Sequence, residues 1–183
     1  MIEFPDEVSE VLATPESTGD RYTVVGTTPV GGGVGIRGFG PHVHPGLVEI
    51  FRCVSGTMTI RVGDDLIELS PGDSAEVPPG VVHGFLNTGG GPLVAEVDLV
   101  FTPPGPRQSA DLIEFAVMLE GLMRDGRVVK RSGMPSITQQ ALLLRKKFPE
   151  AMDQPGIGKP LLRVLAAVGH LRGMPTDFPQ YVA

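Results

Sequence analysis

From Arg21 to Phe101 the chain is cut into short β-branched or alternating runs by Gly, Pro and Asp at intervals of about 8–15 residues. Of the 25 glycines, 16 lie between Gly26 and Gly91, a density suited to tight turns joining short strands. Residues 21–27 are rich in β-branched side chains, and Val34, Ile36 and Phe39 sit among glycines. Residues 47–54 are apolar apart from Glu49 and Arg52. Met58, Ile60 and Val62 alternate with Thr57, Thr59 and Arg61, the period of two required of a half-buried strand. Gly63-Asp64 and Pro71-Gly72-Asp73 read as turns, and residues 66–69, 75–77, 82–86 and 93–101 complete at least seven strands. This punctuation favours an antiparallel sandwich or barrel over a βαβ sheet.

After Phe101 the period changes to that of helices. Asp111 and Glu114 have capping-box spacing ahead of Leu112, Phe115, Leu119, Leu122 and Met123 on one helical face, with Gly126 as a stop. Ser136 and Gln139 form a second such pair, leading through Ile137, Ala141 and Leu144 to a break at Phe148-Pro149. Pro160 opens a third helix carrying Leu161, Leu165 and Val168 and ended by Gly173 and Pro175. Charge divides at the same place: residues 1–101 carry a net −10 and residues 102–183 a net +4. The expected organisation is an N-terminal arm at 1–20, a strand-rich unit at 21–101 and a helical appendage at 102–183.

Several function classes are disfavoured on composition. A net charge of −6 argues against nucleic acid as a partner. No apolar run approaches the roughly 18–20 residues that span a bilayer, and the acidic N-terminus does not read as a targeting segment. A cytoplasmic protein is expected. Cys53, the one cysteine, leaves no internal disulfide and no Cys-rich zinc module. Gly31 to Gly35 lacks the spacing and the Lys of a phosphate-binding loop.

Three of the four histidines fall in the strand-rich part. His42 and His44, two apart, point to one side of an extended chain. Pro45-Gly46 can reset the parity so that Glu49 joins them, and His83 follows the Pro78-Pro79-Gly80 turn. Three imidazoles and a carboxylate converging inside a barrel would suit a divalent transition metal. The competing readings are a hydrogen-bonded core or surface histidine at 83, and for Glu49 either a partly exposed edge position or an ion pair with Arg52 or Arg61. A buried carboxylate otherwise needs a cation or strong hydrogen bonds.

These residues also carry a resemblance. His42-Val-His44-Pro-Gly-Leu-Val-Glu49, followed after six residues by Gly56, is similar to the first motif of the cupins, although Ile36 stands where that motif has its leading Gly. Gly72, then Pro78-Pro-Gly80, His83 and Asn87 match the second motif at each fixed position, 15 residues after the first. The resemblance implies a mainly β fold, a small cupin barrel (double-stranded β-helix), followed here by a C-terminal helical segment. It implies His42, His44, Glu49 and His83 as ligands of one divalent metal: iron(II), manganese(II), nickel(II) or zinc(II).

With Glu49 facing inward, strand parity adds Phe51 and Cys53, an adjacent row adds Met58 and Ile60, and Phe85 and Asn87 share the face of His83. Phe51, Met58, Ile60, Phe85 and Asn87 are therefore the candidate substrate-binding residues. Plain core packing is the equal alternative for the first four, and a turn-holding role for Asn87. Cys53 reads as a buried small hydrophobe and His170 as an ordinary helix residue. The basic cluster from Arg124 to Lys147 reads as a solvated face. The function expected is a metal-dependent cupin enzyme on a small organic substrate, with an oxygen-dependent, dioxygenase-like oxidation first. The alternatives are a non-catalytic metal- or small-molecule-binding protein, or a cupin isomerase, cyclase or decarboxylase. A homodimer is expected, with no nucleic-acid or membrane partner, and the 149–159 loop could hinge a helical lid.

Overall fold

Nine strands and four helices follow one another in the computed structural model, which describes residues 2–4, 7–33, 41–101, 106–127, 129, 135–148 and 158–181. They are β1 (Ile2–Phe4), β2 (Glu7–Ala13), α1 (Pro15–Thr18), β3 (Arg21–Thr28), β4 (Leu47–Ser55), β5 (Met58–Val62) and β6 (Asp65–Leu69). Then come β7 (Ser74–Val77), β8 (His83–Asn87), β9 (Leu93–Phe101), α2 (Pro106–Arg124), α3 (Ile137–Lys146) and α4 (Gly158–Leu171). The strand expected around Val34, Ile36 and Phe39, most of the 149–159 loop, and Lys130 and Arg131 of the basic cluster lie outside the described residues.

The strands form two antiparallel sheets, one in the order β1-β2-β3-β9-β4-β7 and one in the order β6-β5-β8. Each inner face follows from the period of two. Leu47, Glu49, Phe51 and Cys53 of β4 are buried alternately, and so are Met58 and Ile60 of β5 and Ala75 and Val77 of β7. Phe51, Cys53, Met58, Ile60, Ala75 and Val77 meet Leu69, Phe85, Leu93 and Ala95 in one core between the sheets. At about 25 cal/mol per Å² of apolar surface removed from water, this cluster is the main drive for closing the sheets on each other.

The N-terminal arm is bound rather than loose. Its β2 pairs with β3 from Val8↔Thr27 to Ala13↔Thr23, with a register shift after Val11. Edge pairing of this kind is made by backbone groups, so no side-chain period announces it.

The helices differ from their expected starts. Asp111 does not cap α2, which begins at Pro106; a proline in the first turn has no N–H to leave unpaired, so the helix forms upstream of the capping-box residues. Ser136 does cap α3, its Oγ accepting from the Gln139 N–H at 3.2 Å. The Gln139 side chain, however, donates to the Pro175 carbonyl at 2.9 Å instead of reaching back to the cap. α4 starts two residues before Pro160. The helical part builds its own core, in which Phe115, Met118 and Leu122 pack on Leu143, Phe148, Phe178 and Tyr181. A second cluster joins Ala141 and Leu142 to Leu162 and Ala166. Leu112 of α2 packs on the barrel, against Leu47, Leu99 and Phe101, and α2 also meets β1. Among the described residues no helix is long and apolar enough to cross a membrane.

Candidate metal centre

Glu49 enters the barrel from the six-stranded sheet, where it stands opposite Val77 of β7 and Leu99 of β9. The histidines come from the other side. His42 and His83 exchange both backbone hydrogen bonds, at 3.1 and 3.0 Å, so their side chains leave one face of the same narrow ladder step. His44 is held by its carbonyl, which accepts from the Gly80 N–H at 2.9 Å. The imidazole centroids lie 4.4 Å apart for His42 and His83, 4.8 Å for His42 and His44, and 5.3 Å for His44 and His83.

One ligand atom from each of His42, His44, Glu49 and His83 falls within 4.8 Å of the others, and all four residues are buried. His83 is oriented by its Nδ1, which donates to the Val81 carbonyl at 2.8 Å and turns Nε2 into the cluster. There Nε2 lies 2.5 Å from Oε2 of Glu49, while Oε1 lies 3.7 Å from Nε2 of His44. Although so close, the Oε2 of Glu49 and the Nε2 of His83 are not joined by an aligned hydrogen bond. Burial would raise the Glu49 carboxyl, but His44, His83 and His42 together outweigh it and hold it at about 2. Burial likewise disfavours charge on His83, and contact with Glu49 overcomes it, leaving that imidazole above its ordinary value.

This arrangement calls for a cation. A neutral His83 with its proton on Nδ1 would turn a lone pair toward an ionised carboxylate. Only a proton or a metal ion between them relieves that repulsion. Imidazole nitrogens and one carboxylate oxygen are the donor set that borderline divalent metals accept, so the residues fit such an ion.

A cavity of about 130 Å³ adjoins the cluster, lined by His42, Glu49 and His83 with Phe51, Gly84, Phe85 and Val97. Of the candidate substrate-binding residues, Phe51 and Phe85 are at this cavity, their rings 5.8 Å apart. Met58 and Ile60 are fully buried in the barrel core and do not line it. Asn87 is taken up in a turn: its Nδ2 donates to the carbonyls of Thr28 (2.8 Å) and Gly91 (3.0 Å), and its Oδ1 accepts from the Gly89 N–H. Val97 and Gly84 are lining residues with no chemical signal in the sequence. Val97 was findable only by register, since it pairs with Phe51. Cys53 is buried, its thiol pushed up by burial, and it reaches the Gly56 carbonyl at 3.6 Å.

Two sheets closed over three imidazoles and a carboxylate define a cupin barrel. The Cupin domain family model matches residues 29–105, and the chain carries a cupin domain there. Over 80 residues the chain is 31% identical to quercetin 2,3-dioxygenase of Bacillus subtilis (strain 168), a match covering 44% of this chain and 23% of that protein's length. Among solved structures, a predicted oxalate decarboxylase from Thermotoga maritima aligns with TM-score 0.47 at 21% identity, over 52% of this chain and 80% of that one. A protein with a double-stranded β-helix domain from Klebsiella pneumoniae aligns with TM-score 0.46 at 25% identity, over 56% of this chain and 84% of that one.

Proposed function

We propose that this protein is a metal-dependent cupin enzyme that oxidises a small organic substrate with dioxygen. The observation that carries the reading is the convergence of His42, His44, Glu49 and His83 at the wall of an apolar cavity. The 31% identity to a dioxygenase over 80 residues supports the oxidative chemistry. A bound iron, manganese, nickel or zinc ion would supply a Lewis-acid centre and, for the first two, a redox-active one. The chain's own part is to hold and shield. Glu49, if released from the ion, is the carboxylate placed to take a proton from a substrate hydroxyl in the cavity. Phe51, Phe85 and Val97 give the space beside the cluster an apolar wall.

The test is oxygen uptake by protein loaded separately with each metal, offered a panel of small phenols, enols and dicarboxylic acids. Uptake that requires both one metal and one substrate class supports the enzyme. A loaded protein that binds such a compound tightly and consumes no oxygen with it overturns oxidation in favour of a binding role.

A further inference from the structure

Helix α4 is apolar on two opposite sides. Toward α3 it presents Leu162, Ala166 and Gly169, all buried, the first two packed with Ala141 and Leu142. At Gly169 the two helices come so close that a Cβ would lie 3.2 Å from the Thr138 carbonyl oxygen. On the far side Pro160, Val164, Ala167 and Leu171 follow one another at the spacing of a single helical stripe. All four are exposed, Val164 by 58% and Leu171 by 85%. A helix with apolar residues on both sides is built to be covered on both. Its charges are of one sign: α4 contains no Asp or Glu, Arg163 flanks the stripe and Arg172 follows the helix end, both exposed.

Strand β6 is its complement in charge. It forms the edge of the three-stranded sheet, and residues 64–68 are all exposed, Leu66 by 70% and Ile67 by 38%. The strand and the turn before it carry Asp64, Asp65 and Glu68, and Arg61 of β5 lies 3.6 Å from the first of these. The lengths agree: the α4 stripe runs about 16 Å, and β6 about 17 Å. Two β6 edges side by side would set acid against acid. Two α4 stripes would meet with no acid on either helix. Only α4 over β6 joins base to acid and apolar to apolar, and a helix laid across an open strand edge closes it.

We infer that this surface takes a second copy of the chain, α4 of each protomer lying across β6 of the other. A two-fold axis makes the contact twice and so doubles the area that one stripe covers.

Light scattering on the full-length protein at tens of micromolar tests the pairing. Wild type is expected as a dimer that weakens by at least roughly tenfold between low and high salt. Leu171→Asp and Leu66→Lys, both at exposed positions, should each give folded monomers by circular dichroism, and Val164→Asp replaces the first if it does not fold. Mixing the two variants should restore a dimer. One of its contacts then has an intact α4 and an intact β6, and the other sets the new Asp beside the new Lys. A wild-type monomer, a dimer that survives either variant, or a mixture that stays monomeric overturns the inference. So does wild-type protein that stays monomeric and sediments with vesicles of anionic lipid while Leu171→Asp does not, which assigns the α4 stripe to a lipid surface.

Discussion

Oε2 of Glu49 and Nε2 of His83 face each other at 2.5 Å inside the barrel, with the other nitrogen of the same imidazole committed to the Val81 carbonyl. That opposition makes the cluster hungry for a cation and leads to the first prediction. Protein purified without added metal should carry about one divalent ion per chain. His44→Ala and Glu49→Gln should each weaken retention by at least roughly 10–100-fold, the loss seen when even outer groups of such sites are removed. Because an ion binds the folded chain, chelation should lower the melting temperature and re-addition restore it. Equal metal content in wild type and His44→Ala after identical purification would sink this assignment.

On the outer face of the large sheet, Asp98 accepts from Arg52 Nη2 and from Thr23 Oγ1, each at 2.7 Å, with Arg21 at 3.7 Å. Burial alone would raise its carboxyl, and these partners more than offset that, so its folded pKa lies below the unfolded one. A depressed carboxylate stabilises fully above its unfolded value and loses that contribution as pH falls through the folded value. Denaturant unfolding should therefore show stability declining below the ordinary carboxylate range. Asp98→Asn should lose about 1–3 kcal/mol at pH 7, toward the low end because Arg52 reaches solvent, and should flatten the acid limb. An unchanged acid limb in the variant would refute the role of this cluster.

Two glycines permit close approach at different costs. A Cβ on Gly33, at φ +154°, would lie 2.2 Å from the Phe85 carbonyl oxygen and 2.8 Å from Leu86 Cα, backbone atoms that cannot yield. Gly33→Ala should destabilise by about 1–3 kcal/mol and disturb ligand affinity through Phe85. On α2, a Cβ on Gly121 would meet the Tyr181 ring at 2.3 Å. That ring stacks on Phe178, and its hydroxyl donates to Asp125. Ala in a helix interior gains about 1 kcal/mol over Gly, which overpacking of about 1–3 kcal/mol exceeds. Gly121→Ala should therefore lower the melting temperature while leaving metal content intact. A rise would show that the C-terminal ring is readily displaced.

Self-association is the fourth expectation. Leu66 and Ile67 are exposed on β6, the edge of the smaller sheet, and Val164 and Leu171 are exposed on α4. Open strand edges and uncovered apolar faces of this kind favour closure against a second copy. Light scattering at tens of micromolar should report a homodimer, and Leu66→Lys on the edge should shift it toward monomer. A wild-type monomer under those conditions counts against it.

The local physics of this chain was readable from its residues. Met58-Thr-Ile60 alternates because a strand sends successive side chains to opposite faces, and Ser136 caps α3 because a hydroxyl there satisfies an N–H with no helical partner. The histidine and glutamate spacing likewise depends on short-range geometry. What needed the folded chain was everything set by contacts distant in sequence. Glu49 arrives on one sheet while His42 and His83 pair on the other side of the barrel, so their meeting depends on how the sheets close. The same closure puts Phe51 and Phe85 at the cavity and Met58 and Ile60 in the core, although all four share the inward parity. Gln139 leaves its cap for the Pro175 carbonyl because a segment 36 residues away returns beside it. Periodicity and turn chemistry act within a few residues, and a sequence displays them. Which inward face meets which is decided by packing summed over the whole core, and that is known only once the chain has closed.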